Sequence, residues 1–84
     1  MNSNEKKDLQ RQFGARVRNT RTSKELTVRA VSHQCGIDHS KISKIEKGMI
    51  NVTLATLVEL AAGLGVHPAD LLQGEELRGP AGGS

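Results

Sequence analysis

Apolar residues recur at steps of three and four along the first part of the chain, which is the spacing of one face of an α-helix. Residues 5–24 contain strong helix formers, no proline and a single glycine, Gly14. The residues expected to face inward are Leu9, Phe13, Val17 and Thr20. We predict a first helix over residues 5–24 whose remaining faces are polar.

A second and a third helix are predicted next, separated by a short turn. Thr27 is a good N-cap for the second helix, and Gly36, which tolerates a left-handed backbone, is placed to end it. Asp38 is placed to cap the third helix, and Gly48 to end it. The residues expected to face inward are Ala30, Val31 and Cys35 in the second helix, and Ile42, Ile45 and the aliphatic part of Glu46 in the third.

Two further helices complete the pattern. Thr53 is placed to cap the fourth, and Gly63 and Gly65 are placed to end it. Pro68 fits the first turn of a fifth helix that ends near residue 73. The inward residues of the fourth helix are expected to be Leu54, Leu57, Leu60 and Ala61. The sequence therefore predicts an all-α domain of five short helices, followed by a flexible Gly-rich tail at residues 74–84.

Charge is distributed unevenly along the chain. The 84 residues carry a net charge of +3, but residues 1–48 hold eleven Lys and Arg against five Asp and Glu. Residues 49–84 hold one basic residue against four acidic ones. A basic half beside an acidic half is typical of a domain with one face against a polyanion. A solvated basic face without a partner is the alternative that charge alone leaves open.

Composition also indicates a location. One cysteine cannot form an internal disulfide, which fits a reducing compartment. No apolar run approaches the ~20 residues that a membrane-spanning helix needs. The N-terminal sequence MNSNEKKDLQ lacks the apolar segment of an export signal. We therefore expect a cytoplasmic protein that does not interact with a membrane.

The segment HQCGIDHSKISKIEKG, residues 33–48, allows two interpretations. Its two histidines and its cysteine suggest a metal site, but zinc sites usually gather four ligands in two paired spacings, and no second pair is present. His33 and Cys35 are also two positions apart on one helix, so they point in different directions. We therefore predict no metal, with Cys35 in the core and His33 on the surface.

The second interpretation is a helix-turn-helix, two short helices around a turn at Gly36, of which the second enters the major groove of DNA. Such a helix needs an inner face that fixes its position, which Ile42 and Ile45 would supply. It also needs an outer face that reaches the bases. That outer face carries Ser40, Ser43, Lys44 and Lys47. This interpretation explains the basic half of the chain as well.

Three pieces of the chain occur in a recognisable order: GIDHSKISKIEKG, TLATLVELAAGLGV and HPADLL. Through them, the span from Phe13 to Leu72 resembles the Cro/C1-type (XRE) helix-turn-helix family. The segment NVTLATL is also similar to that of the small controller proteins of restriction–modification systems. The resemblance implies a compact Cro/C1 repressor-like domain. Residues 1–8 would be an extension joining helix one, and residues 9–73 the DNA-binding and dimerisation domain.

The resemblance also implies roles for individual residues. The positions that contact bases in the family correspond to His39, Ser40 and Lys44. The residues expected to contact the DNA backbone are Arg18, Thr27, Arg29, Lys41, Ser43, Lys47 and Asn51. An ion pair that ties helix one to the recognition helix corresponds to Arg21 and Glu46.

Four residues depart from the family pattern. Val28 stands where a glutamine often touches phosphate, so a neighbour such as Arg29 would have to supply that contact. Glu25 replaces a frequent glycine, so the turn after helix one is expected to differ in shape. Ser32 replaces a usual alanine, which is a mild change if its hydroxyl bonds back to its own helix. Thr20 replaces a usual leucine.

These features predict a homodimeric transcription regulator on a pseudo-palindromic site in double-stranded DNA, of the restriction–modification controller or phage-repressor type. It would repress or regulate its own gene, and activation would need a contact with RNA polymerase. So small a domain has a thin core, so we expect apolar surface to remain for dimerisation, at Leu64, Val66, Leu71, Leu72 and Leu77.

Two other classes of function are alternatives to this one. The first is an antitoxin-like module that binds a partner protein as well as DNA. The second is an enzyme. No paired carboxylates, no activated nucleophile and no phosphate-cradling glycine loop are visible in the sequence. We therefore predict neither catalysis nor a cofactor.

Overall fold

Four α-helices make up most of residues 1–72, the part of the chain that the computed structural model describes. They are α1 (Ser3–Ser23), α2 (Val28–Cys35), α3 (His39–Glu46) and α4 (Leu54–Leu64), followed by a 3₁₀ helix (Pro68–Leu72). The prediction of an all-α fold is confirmed. The fifth element is a 3₁₀ helix rather than an α-helix. None of the helices in this part of the chain is both long and apolar enough to span a lipid bilayer.

α1 begins at Ser3, two residues before the predicted start, because a capping box precedes it. The Asn2 side chain accepts a hydrogen bond from the Glu5 backbone N–H at 2.9 Å. The Glu5 carboxylate in turn accepts one from the Asn2 backbone N–H at 3.0 Å. Two otherwise unpaired donors are satisfied in this way. Most of the predicted extension at residues 1–8 is therefore the first part of α1.

The ends of the other helices are set by the residues that the sequence indicated. The Thr27 and Thr53 side chains accept from the backbone N–H three residues later, at 3.0 and 3.1 Å. Asp38 accepts from the Ser40 N–H at 3.2 Å. Gly36 and Gly65 end α2 and α4 at φ values of 74° and 71°, where a side chain would be strained.

The core is aliphatic and lies where the four helices meet. α1 packs mainly on α3, α2 packs mainly on α4, and the 3₁₀ helix contacts both α1 and α4. The buried apolar side chains are Phe13, Val17, Val31, Ile37, Ile42, Ile45, Leu57, Leu60, Ala61, Leu64 and Leu71. α3, the predicted recognition helix, is thus held on one side by its two fully buried isoleucines and by its packing on α1.

The helical pattern placed some residues too far inward. Leu54 is 80% exposed, so its predicted inward position is wrong; it is the first residue of α4, and the buried face of that helix begins two residues later. Gly63 does not end α4 but lies inside it, packed against α2. Most of the other residues predicted inward are buried, and five are only partly buried: Leu9, Thr20, Ala30, Cys35 and Glu46.

α1 and α3 come very close together at Gly14. A Cβ atom on this residue would lie 2.2 Å from the carbonyl oxygen of Ile45 and 2.8 Å from that of Glu46. Only a residue without a side chain allows the two backbones to come so near. Gly14 therefore sets how closely the C-terminal end of α3 rests on α1.

Candidate nucleic-acid interface

The turn between α2 and α3 is closed by three hydrogen bonds. The Gly36 N–H donates to the Ser32 carbonyl at 2.8 Å, as the left-handed conformation of Gly36 requires. The Ser32 hydroxyl donates to the Ile37 carbonyl across the turn. Asp38 then caps α3. Hydrogen bonding by Ser40 lowers the pKa of the Asp38 carboxyl below its ordinary value.

α3 has the two faces that a recognition helix needs. Ile42 and Ile45 are 0% and 1% exposed and anchor its inner face. On the outer face Ser40, Lys41, Lys44 and Lys47 are exposed, and His39 and Ser43 are half-buried. Ser40, Lys44 and Lys47 are spaced by four and three residues, so they form one stripe along the helix. The predicted base-contacting residues therefore lie on an accessible surface.

The outer face of α3 is positively charged, and its lysines are not engaged in ion pairs within the described part of the chain. Within residues 1–72 no ion pair involves Lys41, Lys44 or Lys47. His39 lies beside the capping carboxylate, with Nδ1 at 3.8 Å from Asp38 Oδ1, and forms an ion pair only when it is protonated. An exposed helix face with unpaired lysines can donate to guanine O6 or N7 and to phosphate oxygens.

The N-terminal end of α2, at the other end of that helix from the turn, provides a second set of donors. The first amides of a helix have no partner within it and are suited to bind an anion. Thr27 and Arg29 are exposed at this end. Arg18 on α1 and Asn51 after α3 are exposed as well, and the Asn51 side chain accepts from the Val52 N–H at 3.1 Å.

Arg21 joins α1 to α3 and to the segment that precedes α2. It donates to the two carboxylate oxygens of Glu46, from Nε at 2.7 Å and from Nη2 at 3.0 Å. Its third nitrogen, Nη1, donates to the Leu26 carbonyl at 2.8 Å, just before α2. The two side chains are only 14% and 7% exposed. The bonds to Glu46 raise the pKa of Arg21 above its ordinary value, against the opposing effect of burial.

Comparison with known proteins decides the family. A family model for a helix-turn-helix domain matches residues 12–73. The chain belongs to the helix-turn-helix family. The resemblance to Cro/C1-type proteins is thereby confirmed.

The relatives of this helix-turn-helix protein include controller proteins. It is 38% identical to Control protein C.BamHI of Bacillus amyloliquefaciens over 61 residues, which cover 71% of this chain and 75% of that one. Its structure is similar to the restriction-modification controller protein C.AhdI from Aeromonas hydrophila, with a TM-score of 0.71, 34% identity, and 74% and 94% of the two chains covered. It is also similar to the clp gene regulator ClgR from C. glutamicum, with a TM-score of 0.72, 28% identity, and 76% and 83% covered.

The departures from the family pattern have structural explanations. Glu25 adopts the left-handed conformation itself, at φ 57°, so the turn after α1 has the backbone of a glycine turn without the glycine. Val28 is half-buried and packs against the core, so it has no polar group to offer a phosphate. Ser32 bonds forward across the turn and not back to its own helix. Thr20 is half-buried at the edge of the core.

The residues predicted for a dimer interface do not share one surface. Leu64 and Leu71 are 2% and 0% exposed in the core of the protomer, which corrects their assignment to an interface. Val66 is half-buried, whereas Leu72 is 53% exposed. Leu77 lies outside the described residues. An interface in this helix-turn-helix protein would therefore have to use other apolar residues beside Leu72.

Such residues are present along a shallow apolar groove of about 250 Å³. Its apolar lining residues include Leu9, Phe13, Ile50, Leu54, Leu57 and Leu72. Leu54 is 80% exposed, and Val58, one helical turn further along α4, is 53% exposed. We call the exposed residues Leu54, Val58 and Leu72 the apolar face.

The histidines and the cysteine of the helix-turn-helix are not brought together as ligands. His33 is exposed and Cys35 is half-buried against Gly63. In residues 1–72 there is no group of three His, Cys, Asp or Glu side chains placed to hold a metal ion.

The two most informative contacts of the site were not evident from the sequence. The bond from Arg21 to the Leu26 carbonyl and the bond from Ser32 to the Ile37 carbonyl both use a backbone acceptor. Every residue has such an acceptor, so the sequence contains no signal that would select these two.

Proposed function

We propose that this protein is a homodimeric transcription regulator of the restriction–modification controller type, which binds a pseudo-palindromic site with one α3 helix in each major groove. One observation carries the proposal: the outer face of α3 is exposed and rich in lysine, while its inner face is anchored by Ile42 and Ile45. The family and its controller relatives support the same function.

Two groups of residues have different roles in this function, one contacting bases and the other contacting the DNA backbone. Ser40 and Lys44, with His39 at the edge, contact base edges and select the sequence. The backbone contacts provide affinity and a steep salt dependence. They would come from Arg18, Thr27, Arg29, Lys41, Ser43, Lys47 and Asn51. The contribution expected of the family glutamine falls to Arg29, because Val28 is packed on the core.

We expect Lys44→Ala to reduce specific binding far more than non-specific binding. Loss of a base contact typically costs about 1–3 kcal/mol and relaxes the preference at one position. The measurement is the affinity for the best duplex selected from a random pool by the wild-type protein, beside a scrambled duplex. Lys7→Ala, an exposed lysine near the start of α1, is the matched control and should change both affinities little. An equal loss on both duplexes would make Lys44 a phosphate contact.

The apolar face provides the surface for a second copy. Leu54 and Val58 are one turn apart on α4, and Leu72 lines the same groove as Leu54. A domain this small gains from burying such residues in a dimer. Two recognition helices would then meet half-sites about 34 Å apart, one turn of the DNA helix.

We expect Leu72→Glu to convert the dimer to monomers in sedimentation experiments, because a buried unpaired carboxylate is strongly unfavourable. Helical content should stay unchanged, since Leu72 is half exposed within the protomer. Met49→Glu is the control: Met49 is 62% exposed but does not line the groove, so this variant should remain dimeric. A dimer that survives Leu72→Glu would place the interface elsewhere.

Regulation would follow from occupancy of the operator. A bound dimer would exclude RNA polymerase from an overlapping promoter, whereas activation from an adjacent site would need a contact with the polymerase. Footprinting on the DNA upstream of its own gene tests autoregulation directly. Two symmetric protected half-sites are expected, and protection without symmetry would contradict the dimeric arrangement.

A further inference from the structure

The Ser32 hydroxyl makes a contact that differs from those of other hydroxyls near helix ends. In α1, Thr22 and Ser23 donate back to carbonyls of their own helix, those of Arg18 at 2.9 Å and Thr20 at 2.8 Å. Backward bonds of this kind are the usual pattern for Ser and Thr in helices. Ser32 instead donates forward, past the end of α2, to the carbonyl of Ile37.

The acceptor of this bond, the Ile37 carbonyl, lies just before the start of α3. Ile37 is 7% exposed, and the next residue is the N-cap of α3. The bond itself is partly buried and lies beside an open pocket lined by Ser32, Gly36 and Ile37. Removing the hydroxyl would leave a partly buried carbonyl without its protein donor, which costs more than the loss of a fully exposed hydrogen bond.

The same residue holds the turn through its backbone. The Ser32 carbonyl accepts the Gly36 N–H at 2.8 Å, while its hydroxyl donates to the Ile37 carbonyl. One residue of α2 is thus bonded to two of the three residues that link the helices, Gly36 and Ile37. Because the left-handed Gly36 is otherwise free to vary its backbone angles, the second bond restricts the direction in which α3 leaves α2.

We propose that Ser32 is a positioning residue for DNA recognition: its hydroxyl fixes the angle between α2 and α3, and so the register between phosphate contacts at the start of α2 and base contacts on α3. This inference rests on the proposed function, which supplies the two sets of contacts. Sequence selection needs both sets to be engaged at once, whereas non-specific binding uses the phosphate contacts alone. A loosened turn would therefore reduce the affinity for the selected sequence more than the non-specific affinity.

The test compares Ser32→Ala with two other variants. Ser32→Thr keeps the hydroxyl, and Ser23→Ala removes a hydroxyl-to-carbonyl bond at the end of α1 instead. We expect Ser32→Ala to weaken binding to the selected duplex about five- to tenfold, the effect of one lost hydrogen bond. Binding to the scrambled duplex should change less than about twofold. Ser32→Thr should restore most of the selectivity, and Ser23→Ala should leave it unchanged.

Amide hydrogen exchange by NMR provides a readout that needs no DNA. In Ser32→Ala the amides of Ser40 and Lys41, at the start of α3, should exchange faster, while those of α4 keep their protection. A uniform increase over all helices, or an equal loss of affinity on both duplexes, would show a general structural role and overturn the proposal. If the wild-type protein selects no duplex, the proposed function fails, and the exchange pattern still decides whether Ser32 holds the turn.

Discussion

Gly14→Ala is expected to lower the Tm of the domain by up to about 15 °C, the cost of overpacking less the gain in helix propensity. The added Cβ would lie 2.2 Å from the carbonyl oxygen of Ile45 and 2.8 Å from that of Glu46. Both are backbone atoms, so neither can turn aside, and α1 and α3 would have to move apart. Overpacking of this kind costs about 1–3 kcal/mol, and occasionally more. For a domain of this length each kcal/mol corresponds to about 4–8 °C in Tm.

An opposing effect makes the expected result informative. Alanine is preferred over glycine inside a helix by about 1 kcal/mol, so propensity alone predicts that the substitution stabilises α1. The steric conflict should exceed this gain because it involves two main-chain oxygens. Thermal unfolding followed by circular dichroism at 222 nm decides between the two effects. A higher Tm for Gly14→Ala would mean that α1 and α3 separate easily.

Gly63→Ala is the graded control for this prediction. Gly63 also lies inside a helix, but its added Cβ would meet the Cys35 Cβ at 2.9 Å and the Val31 carbonyl oxygen at 3.1 Å. These distances are less severe, since only one of them is under 3.0 Å. We expect a smaller loss of stability than for Gly14→Ala. The reverse order would indicate that the seam between α2 and α4 is the tighter one.

Glu46→Ala is expected to reduce the free energy of unfolding by about 3–5 kcal/mol, the usual effect of removing one partner of a buried ion pair. The Arg21 guanidinium would stay in a site where its side chain is only 14% exposed. It would keep one of its three acceptors, the Leu26 carbonyl. A total stability of about 4–13 kcal/mol is typical for a chain of this length. The variant would therefore lose a large share of the stability of the domain.

The contribution of the Arg21–Glu46 ion pair is tested by urea unfolding of the wild-type protein, Glu46→Ala and two further variants. Arg21→Met with Glu46→Leu replaces both charges by apolar groups, and we expect this double variant to be more stable than Glu46→Ala. Asp8 forms an exposed ion pair with Arg11, with 3.2 Å between Oδ1 and Nη1; the Arg11 and Asp8 side chains are 67% and 63% exposed. Asp8→Ala should therefore lower the free energy of unfolding by no more than about 1 kcal/mol. If Glu46→Ala costs as little as Asp8→Ala, solvent screens the pair at Arg21 despite its burial.

Local chemistry explains why much of this fold could be predicted from sequence. Thr27, Asp38 and Thr53 cap helices because their side chains accept from amides only two or three residues away. Gly36 ends α2 because a left-handed residue is required there. Neither feature depends on distant parts of the chain. The Arg21–Glu46 contact, in contrast, joins residues 25 positions apart and was expected only from the family resemblance.

Positions decided by packing could not be predicted in the same way. Leu54 fits the apolar stripe of α4, but a stripe does not reveal where its buried part begins. Leu64 and Leu71 could have faced a partner or the core, and the choice depends on how the 3₁₀ helix folds back on α1 and α4. In the sequence Gly14 is simply the single glycine of the predicted first helix, and its purpose is visible only when α3 lies against it.

Glu25 is unfavourable in two respects, one for the stability of the fold and one for the proposed contact with DNA. A residue with a side chain costs about 1–2 kcal/mol in the left-handed region, and Glu25 occupies it at φ 57°. It also places a carboxylate two residues before Thr27, where the proposed interface meets phosphate. Glu25 therefore lowers the stability of the folded state, and in the proposed function it would also weaken the complex with DNA. For the proposed autoregulation a moderate affinity would be an advantage, since an operator that is never vacated cannot report a change in the concentration of the protein.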